Sequence, residues 1–325
     1  MQETEITKQT DVVALGELLI DFTENGVSNQ GNPLFEANPG GAPCNVLAML
    51  TKLGHKTAFI GKVGKDFFGT QLKEAIEQVG ISSDYLYMDE QVHTTLALVH
   101  TFPDGDRDFS FYRNPGADMM LTEEEISEEL IQNARIFHFG TLSMTHNGVR
   151  KATKKAIRIA EQANVLISFD PNLRPPLWDS LEDAREQVLY GLGHCQILKI
   201  SDNEIQWLTG ESDFTKGVEW ILERYEIPLI LVSMGKQGSR AYYGNFMVER
   251  QPFLQKNTIE TTGAGDTFCG CILHYILEHG IDNLKGSNLK DMLTFANSAA
   301  SLITTKKGAL RVMPSREEIE ANITK

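Results

Sequence analysis

Short apolar runs of strand length recur along this chain, and helical stretches separate most of them. Val12-Val13-Ala14-Leu15, residues 57–61, 135–140, 165–170, 196–200 and 229–233 all read as buried strands. Between them, Pro43 opens a helix carrying Val46, Leu47, Met49, Leu50 and Leu53 up to Gly54. A second helix from about Asp66 repeats Phe68, Leu72, Ile76 and Val79 before Gly80, and a third covers 148–163. Such alternation predicts an α/β fold, a mostly parallel central sheet covered by helices on both faces. Ligands of such sheets gather at the carboxyl ends of the strands.

Two segments break the pattern. Residues 19–37 mix Gly, Asn and Ser turns with short apolar pieces, and residues 94–112 form two alternating runs joined by Pro103-Asp104-Gly105-Asp106, a hairpin signal. Together they predict a small separate sheet, serving either as a lid that excludes water or as an oligomerisation arm.

A length of 325 residues suits one large domain with a small appendage. The 30 Lys and Arg against 44 Asp and Glu give a net charge of −14. That balance repels phosphate backbones and anionic lipid, so nucleic acid and membrane are not expected partners. No apolar run reaches the roughly 20 residues of a membrane span, and the first residues are polar rather than signal-like, which points to the cytoplasm. Cys44, Cys195, Cys269 and Cys271 are too few and too irregular for a disulfide framework or a four-thiolate metal site. The His residues show no metal-ligand spacing.

The chemistry concentrates in a few turns. Thr261-Thr262-Gly263-Ala264-Gly265-Asp266 precedes the apolar stretch Thr267-Phe268-Cys269-Gly270-Cys271. It reads as a tight turn opening a helix, where bare backbone N–H groups and the helix dipole receive phosphate and Asp266 takes a proton from an attacking hydroxyl. The same residues also suit an ordinary capped helix. In Asn38-Pro39-Gly40-Gly41-Ala42-Pro43-Cys44-Asn45, the glycines let a polyol approach the backbone and Asn45 offers a donor and an acceptor. Asp21 follows the first strand and can take two bonds from vicinal hydroxyls. Arg113 and Arg174 are typed for bidentate contact with phosphate or sugar oxygens. Arg174 lies in Asp170-Pro171-Asn172-Leu173-Arg174, at the carboxyl end of an expected strand.

Lys199-Ile200-Ser201-Asp202-Asn203-Glu204 ends another strand, and Glu204 can orient water or Mg²⁺ beside phosphates. Ser233-Met234-Gly235-Lys236-Gln237-Gly238 suits either the edge of a nucleotide or a hairpin turn. Asn297, in an apolar helix, either reaches a purine or ribose or satisfies a neighbouring backbone group. The P-loop, protein-kinase and dinucleotide fingerprints are missing.

Taken together, these runs resemble the ribokinase (PfkB) superfamily of sugar kinases, and within it the fructokinases. The resemblance runs from Val12 to about Pro314 and is carried by the two glycine-rich signatures, by Tyr112-Arg113-Asn114-Pro115-Gly116-Ala117-Asp118 and by Asp170-Pro171-Asn172-Leu173-Arg174-Pro175-Pro176-Leu177-Trp178. It implies a ribokinase-like three-layer α/β/α domain over 12–315, with a lid formed by about 19–37 and 94–114 and a polar tail over 1–10. The implied reaction is ATP-dependent phosphorylation of a sugar's primary hydroxyl, the 6-hydroxyl of fructose, with Asp266 as base and Gly263, Ala264 and Gly265 as the anion hole. The same resemblance gives Asp21, Gly40, Gly41, Asn45, Arg113, Asn172 and Arg174 to the sugar. It gives Lys199, Ser233, Gly235, Gly238 and Asn297 to the nucleotide, and Glu204 to the Mg²⁺ and phosphate network. It further implies a homodimer through the lid and a monovalent cation such as K⁺ near Glu260, where the family commonly has Asp. The family's N-x-x-E element stands here as Ser201-x-x-Glu204, and Lys65 stands where a second acidic residue is frequent. The alternatives are a 2-keto-3-deoxygluconate kinase, whose substrate carboxylate Arg113 or Arg174 would serve, and a catalytically silent sugar-sensing homologue.

Overall fold

Alternate residues of the central strands belong to two different cores, and this fixes the layering. Val12 and Ala14 pack into one cluster while Val13 and Leu15 pack into the other; Leu229 and Leu231 are likewise parted from Ile230 and Val232. A strand buried on both faces must lie between two helical layers, because successive side chains point to opposite sides. The structure is a computed structural model that describes residues 8–101 and 107–324.

The strands are β1 (Thr10–Leu15), β2 (Leu19–Val27), β3 (Pro33–Gly40), β4 (Thr57–Gly64), β5 (Ser82–Asp89), β6 (Leu96–Thr101), β7 (Arg107–Tyr112), β8 (Ala134–Gly140), β9 (Leu166–Asp170), β10 (Ile197–Ser201), β11 (Leu229–Ser233), β12 (Ser239–Tyr243) and β13 (Phe246–Arg250). The helices are α1 (Ala42–Lys52), α2 (Phe67–Gln78), α3 (Glu128–Gln132), α4 (Asn147–Gln162), α5 (Leu181–Leu192), α6 (Asp202–Thr209), α7 (Phe214–Leu222), α8 (Ala264–His279), α9 (Gly286–Ile303) and α10 (Arg316–Ile323).

Nine strands form the central sheet in the order β13-β12-β11-β10-β9-β8-β1-β4-β5. The run from β11 to β5 is parallel, while β12 and β13 add an antiparallel edge that the alternation did not foretell. Helices α1, α2, α8 and α9 supply one core, and α4 to α7 the other. The expected helices fall within a residue or two of their positions. Asp66 caps α2, its side chain taking the N–H of Gly69 at 2.8 Å.

The expected small sheet is present in the order β3-β2-β6-β7, and its β2–β6 pair is parallel. The turn Pro103-Asp104-Gly105-Asp106 lies outside the described residues, as do residues 1–7 of the polar tail. Because β2 follows β1 after three residues and β3 runs into α1, the small sheet sits over the carboxyl ends of the central strands.

Candidate active site

Two helix starts meet at that end of the sheet. Gly41 precedes α1 with φ 128°, and a Cβ there would lie 2.4 Å from the carbonyl oxygen of Glu17, so only glycine fits. Gly263 precedes α8 in the left-handed region with φ 75°, and a Cβ there would lie 2.6 Å from Cβ of Ala309. The two helices run closely side by side because Gly270 faces Met49, where a Cβ would come within 2.7 Å of Met49 Cβ. One turn earlier on each helix stand Asn45 and Asp266. There Asn45 Nδ2 donates to Asp266 Oδ2 at 2.8 Å.

Asp266 forms part of the wall of a cavity of about 380 Å³ shared with Asp21, Gly41, Asn45, Asn172, Arg174 and Lys199. Loss of hydration holds its carboxyl above the usual carboxylate range, opposed by the Asn45 hydrogen bond and by the charges of Lys199 and Arg174. Asn172 itself has φ 41°, a left-handed conformation that Asn tolerates and that recurs at binding sites.

A second cavity of about 640 Å³ lies on the other side of the α8 start, walled by Ser233, Gly235, Gly238, Pro252, Phe253, Leu254, Phe268 and Asn297. Thr261 and Gly265 belong to both cavities. The first N–H groups of a helix have no acceptor within it, so this turn offers donors and positive potential where the two spaces meet. Ala264 faces the second cavity only, and its N–H is turned to the Thr261 carbonyl at 3.2 Å. The stretch 233–238 also joins the antiparallel pair β11–β12, so it is hairpin and cavity wall at once.

Four expected residues, Arg113, Lys199, Glu204 and Gly40, do not line the cavity expected of them, and Asn297 lines its own with its amide already committed. Arg113 is buried and does not face either cavity. Its guanidinium holds Asp118 at 2.6 and 2.8 Å, Thr145 Oγ1 at 2.8 Å and the Leu142 carbonyl at 3.0 Å, tying the end of β7 to the loop after β8. Lys199 lines the first cavity, not the second. Leu198 and Ile200 pack into the α4–α7 core, so the residue between them points to the α8 side, where Gly265 lies.

Lys199 Nζ pairs with Asp170 Oδ2 at 2.8 Å. Burial is the largest influence on both. It raises the Asp170 carboxyl to about 6, whereas the carboxylates of Asp170, Glu204 and Asp266 outweigh it at Lys199 and keep that ammonium charged.

Glu204 lines neither cavity. Its carboxylate accepts from Leu173 N at 2.8 Å and from Ser201 N and Oγ at 2.8 Å each, so it fixes the 172–174 loop to the start of α6. Asn297 faces the second cavity, but its amide is committed to Ser239 Oγ at 2.8 Å and to the carbonyls of Arg250 and Gln251 at 3.3 and 3.1 Å. Gly40 makes room for Asp21, whose Oδ2 would lie 2.2 Å from a Cβ there. Glu17, which the sequence did not single out, lines the first cavity while 4% exposed.

No group of three or more His, Cys, Asp or Glu side chains is arranged to hold a metal among the described residues. Among the described residues no helix is long and apolar enough to cross a membrane.

A carboxylate and a helix start between a polar cavity and a larger apolar one define a phosphoryl-transfer site that joins a nucleotide to an alcohol, on a fold of the ribokinase type. The chain belongs to the pfkB family of carbohydrate kinases, whose profile matches residues 9–316. It is 38% identical over 312 residues to probable fructokinase-4 of Arabidopsis thaliana, covering 95% of each chain. It is 40% identical over 310 residues to fructokinase-1 of Zea mays, covering 95% of this chain and 96% of that one. Among solved structures, it is similar to the fructokinase with bound ATP from Xylella fastidiosa, with a TM-score of 0.88 and 28% identity over 97% of this chain and 98% of the other. The fructokinase of Vibrio cholerae O395 with fructose, ADP and calcium gives 0.87 and 28%, over 97% and 99%.

Proposed function

We propose that this chain is a fructokinase, transferring the γ-phosphoryl group of ATP to the 6-hydroxyl of D-fructose to give fructose 6-phosphate. The single observation that carries this reading is that the turn entering α8, through Thr261 and Gly265, is a wall of both cavities. The apolar wall of Pro252, Phe253, Leu254 and Phe268 suits a base, and the polar cavity suits a polyol. The structural relatives named with ATP or with fructose and ADP support the same pairing.

Asp266 takes the hydroxyl proton as the sugar oxygen bonds to the γ-phosphorus and the bond to the β,γ-bridging oxygen breaks. The Gly265 N–H, the helix dipole and the Lys199 ammonium meet the charge that develops on the phosphoryl oxygens. Asp21, Gly41, Asn45, Asn172 and Arg174 hold the sugar. Mg²⁺ supplies charge neutralisation on the phosphate chain. Glu260 is the acidic residue proposed to face a monovalent cation such as K⁺, and its Oε1 also holds the Gly308 N–H at 2.6 Å.

A 2-keto-3-deoxy acid fits less well. With Arg113 committed elsewhere, the cavity sets Glu17, Asp21 and Asp266 against Arg174 and a lysine already paired with Asp170. A coupled ADP-release assay with Mg²⁺, ATP and a panel of sugars and keto acids tests the assignment. Turnover highest on fructose is expected, and none on any sugar gives way to the silent reading.

Residues 12–315 act as a single kinase domain with its lid, in line with the family match. The exposed lid residues Val27, Phe35 and Tyr112, at 67, 41 and 63%, suit a second copy of the chain, and sedimentation should then report a dimer. The four cysteines are free and buried, as suits the reducing cytoplasm.

A further inference from the structure

Glu17 sits two residues beyond β1 and is 4% exposed. It lines the acceptor cavity and also a chamber of about 10 Å³ beneath it, bounded by His138, Asp170 and Asn172. Its Oε1 takes the N–H of Ala42 at 2.9 Å, in the first turn of α1. The cap position itself is Gly41, which has no side chain to meet that N–H, and a neutral amide at position 17 would satisfy it with no buried charge. Among the described residues no cation forms an ion pair with it. Burial raises its carboxyl to about 7, aided by Asp118 and opposed by its own N–H, Ala42 N–H and Arg113. On the same cavity, Asn45 Oδ1 is buried without a hydrogen-bond partner. With Asp21 nearby, this wall is rich in acceptors, and the ligand that satisfies it is a neutral molecule bearing hydroxyl donors.

We propose that Glu17 is a substrate-binding and specificity-determining residue. Its second carboxyl oxygen accepts a hydrogen bond from a hydroxyl of the phosphoryl acceptor, and together with Asp21 it excludes anionic polyols from the cavity. Resting as it does on the fructose reading, the test begins with turnover of fructose by the wild-type enzyme; no turnover overturns that reading and the proposal with it.

The decisive measurement compares the fructose KM with the inhibition constant of 2-keto-3-deoxygluconate, in wild type and in Glu17→Gln. Gln keeps an acceptor for Ala42 and removes the charge. The fructose KM is expected to rise about tenfold with the ATP KM unchanged, and the ratio of inhibition constant to KM to fall tenfold or more. Asp21 and Asp266 are present in both enzymes, so the change in the ratio between wild type and variant isolates Glu17. A folded variant whose ratio stays within twofold of wild type overturns the proposal and leaves Glu17 a cap of α1.

Should Glu17→Gln not fold, the wild-type ratio between pH 6 and 8.5 decides. The keto acid is ionised throughout, so ionisation of Glu17 must strengthen the exclusion as pH rises, and a flat ratio overturns the proposal. Asp21, Asp118, Arg113, His138 and Asp170 face the same region. Lys199, Arg174 and Asp266 line the same cavity. Burial takes His138 down to about 3 and Asp170 up to about 6, at or below the acid edge of the window. It also raises Asp266, whose ionisation the acid limb of kcat reports separately, so the ratio is read above that limb.

Discussion

Asn45 Nδ2 donates to Asp266 Oδ2 at 2.8 Å, joining the helix after the first glycine-rich turn to the helix after the second. The bond aims the carboxylate and makes its protonation depend on a residue 221 positions away in the chain. Asp266→Asn is expected to lower kcat by roughly two to four orders of magnitude, the usual worth of a general base, and to leave ATP binding by calorimetry intact. Near-normal turnover would remove Asp266 from the mechanism.

The pH profile carries the same relationship. Burial holds the Asp266 carboxyl above its ordinary value and the Asn45 bond pulls it down. A general base at Asp266 works only when ionised, so the proposed role requires the rate to fall as pH drops through a value above the usual carboxylate range of about 4. In Asn45→Ala that acid limb is expected to move to higher pH, with kcat reduced roughly ten- to hundredfold through lost positioning. An unmoved limb would show that the hydrogen bond does not reach the reacting carboxylate.

Arg113 and Asp118 form a buried pair between the lid strand β7 and the main domain. Arg113→Met leaves Asp118 buried and unpaired, at an expected cost of about 3–5 kcal/mol in urea unfolding. Replacing both, with Asp118→Leu, is expected to recover a large part of that loss. A single variant as stable as wild type would refute the clamp.

Glu17 gives stability a sign that can be checked. Its folded value of about 7 exceeds the ordinary 4.5. The folded state therefore pays no penalty below the unfolded value, an increasing one between the two, and the full one above 7. The stability of Glu17→Gln relative to wild type should accordingly rise with pH from 5 to 8, by an amount on the order of 3 kcal/mol. A difference independent of pH would mean that Glu17 is solvated.

Much of this was legible in sequence because it is local. A glycine turn entering an apolar helix fixes its own geometry, so the turns alone single out Gly41, Asn45, Gly263, Gly265 and Asp266, and the structure brings all five to one cavity. Arg113 and Glu204 lie outside both cavities, because each has the right chemistry for a ligand and spends it on a neighbour that only the tertiary fold supplies, while Asn297 lines its expected cavity with its amide held in the same way. Lys199 was an intermediate case. Its strand end was readable, and the alternation of Leu198 and Ile200 around it held the signal for which cavity it enters. Glu17 follows a strand with no turn or spacing to mark it. The β12–β13 edge is short and half exposed, so it lacks the continuous apolar run that announced its neighbours.

Among the described residues, Thr261 and Gly265 alone line both spaces, and the rest of each enclosure is its own. A change confined to one enclosure should therefore leave the affinity of the other untouched, and only a change at the shared turn should disturb both.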